Sequence, residues 1–317
     1  MLFLGVLGSI VLGSLSSPWA QNNRPYSPEK LGFSVKVKSL IVSYKLMSVF
    51  VLPGETTDIT VSEDSSFYQL KVSTGNVKAV SSTGWAIKAP NKPGIYSIEI
   101  FNYRSKERMV INQVVLYSMA SIKNGRINGF YIGQYPEASA QNPLSIPPQG
   151  FIEVTPENIN TPLTPHFTLG QFISKQDGGF PKYVVVTEKL LLKLETVLEV
   201  ANAHGYTCHS FTVMSGYRTP YINKAIGNET TFSRHLWGLA ADIYIDEAPR
   251  DGVMDDINHD GKIDKKDTEL LYSLVDQLDT QSPFSFLQGG LANYKATSSH
   301  GPFVHVDARG FKARWNG

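Results

Sequence analysis

At 317 residues the chain exceeds the length at which a single hydrophobic core usually suffices, so two folded units plus a processed segment are expected. Its 42% hydrophobic content supports globular folding. With 29 basic against 28 acidic residues the net charge is +1, too small a field to attract nucleic acid or an anionic membrane, and no nucleic-acid partner is expected.

The first fifteen residues are apolar and uncharged, shorter than a comfortable membrane span but suited to the hydrophobic region of a signal peptide. Small residues around Ser16-Ser17-Pro18-Trp19-Ala20 place cleavage near Ala20, giving a signal peptide over 1–20. Pro18 and the lack of Lys or Arg ahead of the apolar run depart from the usual pattern. The expectation is an exported protein, periplasmic or extracellular, with no transmembrane anchor after processing. Its one cysteine, Cys208, excludes an intramolecular disulfide and reads as a small buried thiol rather than a nucleophile paired with His209.

From 29 to 118, short runs rich in Val, Ile, Ser, Thr and Tyr alternate with turn signals such as Pro53-Gly54, Gly75-Asn76 and Lys92-Pro93-Gly94, predicting about seven strands of a β-sandwich. The run Gly94-Ile95-Tyr96-Ser97-Ile98-Glu99-Ile100 resembles the late strand of bacterial immunoglobulin-like domains. Residues 119–165, with Asn128-Gly129, Tyr135-Pro136 and Pro147-Pro148, read as an ordered linker whose aromatics Phe130, Tyr131 and Tyr135 pin it to a neighbour or stack on sugar rings. Apolar spacing from Leu190 to Ala201, with Thr187 as N-cap and Gly205 past the end, predicts a core helix. Strands are expected at 211–214, 241–245 and 303–306. The whole is a multidomain chain, an all-β immunoglobulin-like sandwich followed by an α+β domain over 166–317.

Three ordered motifs carry the chemistry: Ser215-Gly216-Tyr217-Arg218, then Ser233-Arg234-His235 with Gly238 to Asp242, and finally His300 with His305-Val306-Asp307. His235 and Asp242, seven residues apart, fit a turn and a following strand that each supply one metal ligand, with His305 as a third from another strand. Asp307, two residues after His305, projects to the same side of a strand and can orient the imidazole. Together these residues resemble the zinc D-Ala-D-Ala carboxypeptidases, in the metallopeptidase superfamily that also holds lysostaphin-type endopeptidases and the hedgehog domain, over about 167–317. The resemblance implies that His235, Asp242 and His305 bind zinc and that the fourth position holds an activated water. It also implies an acid/base role for His300 and an oxyanion-stabilising role for Arg218. Ser233 is expected to hydrogen-bond locally or to position substrate. Where some branches place a glutamate or a histidine shortly before the last ligand, this chain has Pro302 and Phe303, which leaves His300 as the base.

A second metal signal spans 256–267: Asp256, Asn258, Asp260, Asp264 and Asp267 occupy the oxygen-ligand positions of a twelve-residue calcium loop, with Gly261 at its turn. Lys262 would add its backbone carbonyl and Ile263 would face the core. A structural Ca²⁺ is expected there, with a helix over 268–278 following.

The function these readings imply is an exported zinc peptidase acting on peptidoglycan stem or cross-link peptides at a D-amino acid, as carboxypeptidase or endopeptidase. The alternative is a non-catalytic zinc- and calcium-binding module that docks on cell wall or protein.

Overall fold

The computed structural model describes residues 25–137, 146–228, 230, 232–280 and 284–317, so the expected signal peptide at 1–20 lies outside the described residues. The fold is mixed and rich in sheet. Among the described residues, no helix is long and apolar enough to cross a membrane.

Nine strands occupy the first third: β1 (Lys30–Val37), β2 (Leu40–Tyr44), β3 (Leu46–Val51), β4 (Thr56–Val61), β5 (Tyr68–Val72), β6 (Asn76–Ser81), β7 (Gly84–Lys88), β8 (Gly94–Asn102) and β9 (Arg108–Val115). They form two sheets, ordered β2-β1-β4-β7-β6 and β3-β9-β8-β5. In β1 the residues Leu31, Phe33, Val35 and Val37 are buried while their neighbours face outward, the period-two pattern of a strand with one wet side. The stretch before Pro53 holds three strands where fewer were expected, because sharp reversals after Val37 and Tyr44 leave no strong Gly or Pro signal. Strand β3 is buried on both faces, since the C-terminal half covers its outer side. Ser48 Oγ donates to Leu163 O at 2.8 Å, Asn112 Nδ2 to Pro162 O at 2.8 Å, and the Phe50 amide to Glu188 Oε1 at 3.0 Å. His166 adds a further tie, its Nδ1 2.7 Å from Glu195 Oε2 and its Nε2 2.9 Å from Ser27 O.

The segment read as a linker carries structure of its own. Strands β10 (Tyr117–Ser118), β11 (Arg126–Ile127), β12 (Phe130–Tyr131) and β13 (Gly150–Val154) precede β14 (Lys182–Val184), and β13 bridges β10 and β14. Ile127, Phe130, Ile132 and Tyr135 are buried. The Tyr135 hydroxyl donates to Leu236 O at 3.0 Å and lies 2.9 Å from the Tyr217 hydroxyl, so aromatic pinning describes its side chain better than sugar stacking.

The C-terminal part is a five-stranded sheet backed by helices. Helix α1 (Glu188–Ala203) starts where Thr187 Oγ1 accepts the Leu190 amide at 3.3 Å, the expected cap. After β15 (Thr212–Ser215) and the short α2 (Pro220–Ala225) come β16 (Ala240–Tyr244), α3 (Lys265–Leu278), β17 (Gly290–Tyr294), β18 (Phe303–Asp307) and β19 (Ala313–Asn316). The order is β15-β16-β18-β17-β19, antiparallel except for the β17–β19 pair. Helix α3 packs on β17 and β18, with α1 against it. Ala241, Ile243, Val304 and Val306 are buried in the core, so the alternate residues Asp242 and His305 emerge on the other face of the sheet.

Candidate metal centre and cleft

Asp242 and His305 are direct partners in the antiparallel β16–β18 register. His235 comes from the one-turn 3-10 helix Arg234–Trp237, which ends at Gly238 in the left-handed conformation, φ +62°. A side chain at Gly238 would place its Cβ 2.4 Å from Val185 O, and Gly238 O accepts from the Thr187 amide at 3.1 Å. The turn is therefore pressed against the start of α1, which fixes where His235 enters the cleft.

The three side chains converge and are all buried. His235 Nε2 lies 3.3 Å from His305 Nδ1 and 3.3 Å from Asp242 Oδ1, while His305 Nδ1 lies 2.9 Å from Asp242 Oδ1. A tetrahedral zinc ion with ligand bonds of about 2.0–2.2 Å needs donor atoms about 3.3 Å apart, so the donor set and its spacing both suit that ion. The remaining nitrogens point to acceptors: His235 Nδ1 is 2.6 Å from Gly216 O and His305 Nε2 is 3.3 Å from Asp307 Oδ2. Each outer contact turns a lone pair of its ring toward the shared centre, as metal-binding histidines require.

Charges around this centre are matched in pairs. Arg218 Nη2 donates to Asp242 Oδ2 at 2.6 Å and its Nε to Ser215 Oγ at 2.8 Å, so Arg218 orients the Asp242 carboxylate. Arg309 binds Asp307 with Nε 2.9 Å from each carboxylate oxygen, and the Gly290 amide donates to Asp307 Oδ1 at 2.7 Å. Burial alone would raise both carboxyls, but His235 and His305 beside Asp242, and His305 and Arg309 beside Asp307, hold them well below the usual carboxylate range. Burial pulls the His235 imidazole down, and the paired carboxylates hold His305 up despite its burial.

The centre forms part of the lining of a cavity of about 960 Å³. His300 lines the same cavity, edge-on to the Phe303 ring at 5.0 Å, with Nδ1 2.8 Å from Gly301 O. Because a carbonyl only accepts, Nδ1 carries the proton there and Nε2 is the basic nitrogen of the neutral ring. Ser233 is buried at the cavity edge and its side chain makes no capping bond to the turn it precedes. Tyr294, stacked on Phe303 at 4.6 Å, and Trp315, beside His305 at 5.1 Å, also line the cavity and had no sequence signal, whereas Arg234 and Arg309 line it from within the motif stretches. Tyr294 and Trp315 come from β17 and β19, strands that the sequence pattern did not announce.

Cys208 lies elsewhere, buried, with its thiol pushed up to about 12 mainly by burial, which suits a packing role. The acidic loop forms a surface turn before α3. Asp256 accepts the Asp260 and Gly261 amides at 3.2 and 2.8 Å, and Asp267, buried, accepts the Asn258 and Asp264 amides at 3.1 and 2.9 Å. Lys266 Nζ lies 3.0 Å from Asp260 Oδ2, and Asp264 caps α3. Among the described residues, the group whose acidic or imidazole ligand atoms all come within 4.8 Å of one another is His235, Asp242 and His305, and the loop acids make no such group. Ile263 is 44% exposed instead of facing the core, because Leu271, Leu274, Val275 and Leu278 of α3 supply that apolar face.

A family model described as Peptidase M15 matches residues 165–264, a span that includes Arg218, His235 and Asp242 and stops short of His300 and His305. The match supports a zinc peptidase domain of that family in this part of the chain, and His235, Asp242 and His305 are residues that could hold its metal. Comparison with curated proteins gives no match.

Proposed function

We propose that the chain is an exported, periplasmic or extracellular zinc peptidase that hydrolyses peptidoglycan stem or cross-link peptides at a D-amino acid. The observation that carries this reading is the convergence of His235 Nε2, His305 Nδ1 and Asp242 Oδ1 beside a cavity that also presents His300. Zinc held there supplies a Lewis acid and a water of lowered pKa. Hydrolysis adds the oxygen of a water to the peptide carbonyl carbon, breaks the C–N bond and delivers a proton to the leaving amine. His300 takes the proton at Nε2 and returns it to the amine. Arg218 keeps Asp242 in place through its Oδ2 and stands close enough to the centre to favour the developing negative charge. Asp307 fixes the His305 ring, and Ser233 positions the peptide at the cavity edge.

In this reading 29–118 is an immunoglobulin-like sandwich, 119–165 links it to the peptidase domain at 166–317, and 256–267 takes a structural Ca²⁺ through Asp256, Asn258, Asp260, Lys262, Asp264 and Asp267. The parallel pairing of β3 with β9 supports the first assignment. The regular spacing of oxygens around Gly261, φ +83°, supports the last, although Lys266 must release Asp260 for the ion to enter. Calorimetry and melting curves at millimolar Ca²⁺ test it, and no heat and no rise in melting temperature would refute it.

The test of the main reading is digestion of defined muropeptides by the zinc-loaded protein with mass-spectrometric readout. Release of D-Ala or of split cross-links, abolished by chelator and by His305→Ala, is expected. Sedimentation with sacculi without turnover would instead favour a binding module.

A further inference from the structure

Within the run of buried residues from Leu190 to Leu198 of helix α1, Lys193 is wholly enclosed. A lysine is almost never fully buried without a partner, and replacing a buried ion pair by apolar side chains of similar volume is often neutral or stabilising. Stability alone therefore gives little reason for a charge at this place. The ammonium donates to Asp279 Oδ1 at 2.9 Å and to the backbone Asp307 O at 3.0 Å. The first bond offsets the charge, and the second ties α1 to the end of β18, two residues past His305. The proposed reaction makes no use of this lysine.

Asp279, buried just past α3, gives its other oxygen to Arg314 Nη2 of β19 at 2.9 Å, and Arg314 Nη1 donates to Gly289 O at 2.7 Å. Gly289 is pressed so closely on the Asp307 carbonyl that no Cβ fits there, and the next amide, Gly290, donates to Asp307 Oδ1 at 2.7 Å. Asp307 is thus gripped at its carbonyl by Lys193 and at its carboxylate by Gly290 and Arg309, while its Oδ2 lies 3.3 Å from His305 Nε2. We infer that Lys193 is a positioning residue for the metal centre: it fixes the Asp307 backbone and, through the Asp307 carboxylate, the angle of the His305 ring. This rests on the metal-centre reading above, so zinc binding by the wild type is measured first.

The full chain, stripped with chelator and titrated with Zn²⁺ against a chromogenic competitor, gives the affinity, and Co²⁺ in place of Zn²⁺ gives an absorption spectrum that reports the ligand geometry. Lys193→Met alone leaves Asp279 buried with one cation fewer, so the main variant pairs it with Asp279→Asn and removes both charges. The pair is expected to bind zinc about 10-fold more weakly than wild type and to shift the Co²⁺ bands, with the melting temperature of the metal-free protein close to wild type. Combined with Asp307→Asn it should add little further loss, because both changes act through one contact. Arg314→Gln loosens Asp279 from the other side while Lys193 still pairs with it, and should weaken zinc binding in the same direction to a smaller extent, which keeps the inference testable should the paired variant not fold. Unchanged zinc affinity and Co²⁺ spectrum in these variants, or a loss that adds in full to that of Asp307→Asn, would overturn the positioning role and leave the pair as core structure. A wild type that binds no zinc would refute the metal-centre reading and this inference with it. Zinc bound with the expected losses but no muropeptide cleaved would refute the peptidase reading alone and leave the role of Lys193 standing.

Discussion

Asp242 on β16 and His305 on β18 face each other across an antiparallel pair, and their side chains meet at 2.9 Å on the cleft face of the sheet. Two of three donors are thus fixed by a backbone ladder, and only His235 depends on a turn. A site built on rigid strands keeps its spacing, so its sensitivity lies in the contacts that orient the rings.

The first expected outcome concerns Asp307, which touches His305 but not the shared centre. Asp307→Asn should weaken zinc affinity or activity by about 10- to 100-fold while leaving the fold intact. Competition with a chromogenic chelator reads the affinity, and an unchanged value would remove Asp307 from the orienting role.

For His300 the outcome is different in kind. His300→Ala should lower kcat by about 10²- to 10⁴-fold with zinc content unchanged, because in the proposed reaction the residue moves a proton and holds no metal. Elemental analysis alongside steady-state kinetics separates the two. Loss of zinc in this variant would make His300 a ligand.

Gly238→Ala should destabilise the protein by about 1–3 kcal/mol, since the new Cβ meets Val185 O at 2.4 Å in a left-handed backbone. The turn would shift to relieve the clash, so zinc content should fall together with the melting temperature. A stable variant that still holds zinc would show that the turn can move without the ligand.

The His166–Glu195 pair makes stability depend on pH. Burial lowers the His166 pKa, but the hydrogen bond and charge of Glu195 outweigh it, leaving the folded value above the ordinary 6.5. The contribution is therefore complete below the unfolded pKa and disappears as pH rises through the folded one. Urea unfolding should show Glu195→Gln most destabilised below pH 6.5, with the gap to wild type narrowing as pH rises. A constant gap would mean that the imidazole stays neutral.

The legible parts of the sequence were those where one short stretch holds the whole signal. The Ser233 to Asp242 motif and the α1 periodicity with its Thr187 cap read directly, because local spacing and local structure coincide there. The cleft walls did not. Trp315 reaches His305 only because β19 joins the sheet in parallel beside β17, a pairing with no local marker. Arg218 was legible as a site residue, but its bond to Asp242 depends on β15 lying beside β16. Arg234 stood inside the clearest motif of the chain, yet its place in the cavity wall was not legible there.

Strand β3 lies buried between its own sheet and the C-terminal half, bonded to it through Ser48 and Phe50. A buried seam of this kind suppresses the hinge motion expected of loosely joined domains. The opening of the cleft therefore holds a constant bearing to the N-terminal sheets, and the two halves turn as one body rather than one sweeping on a tether from the other.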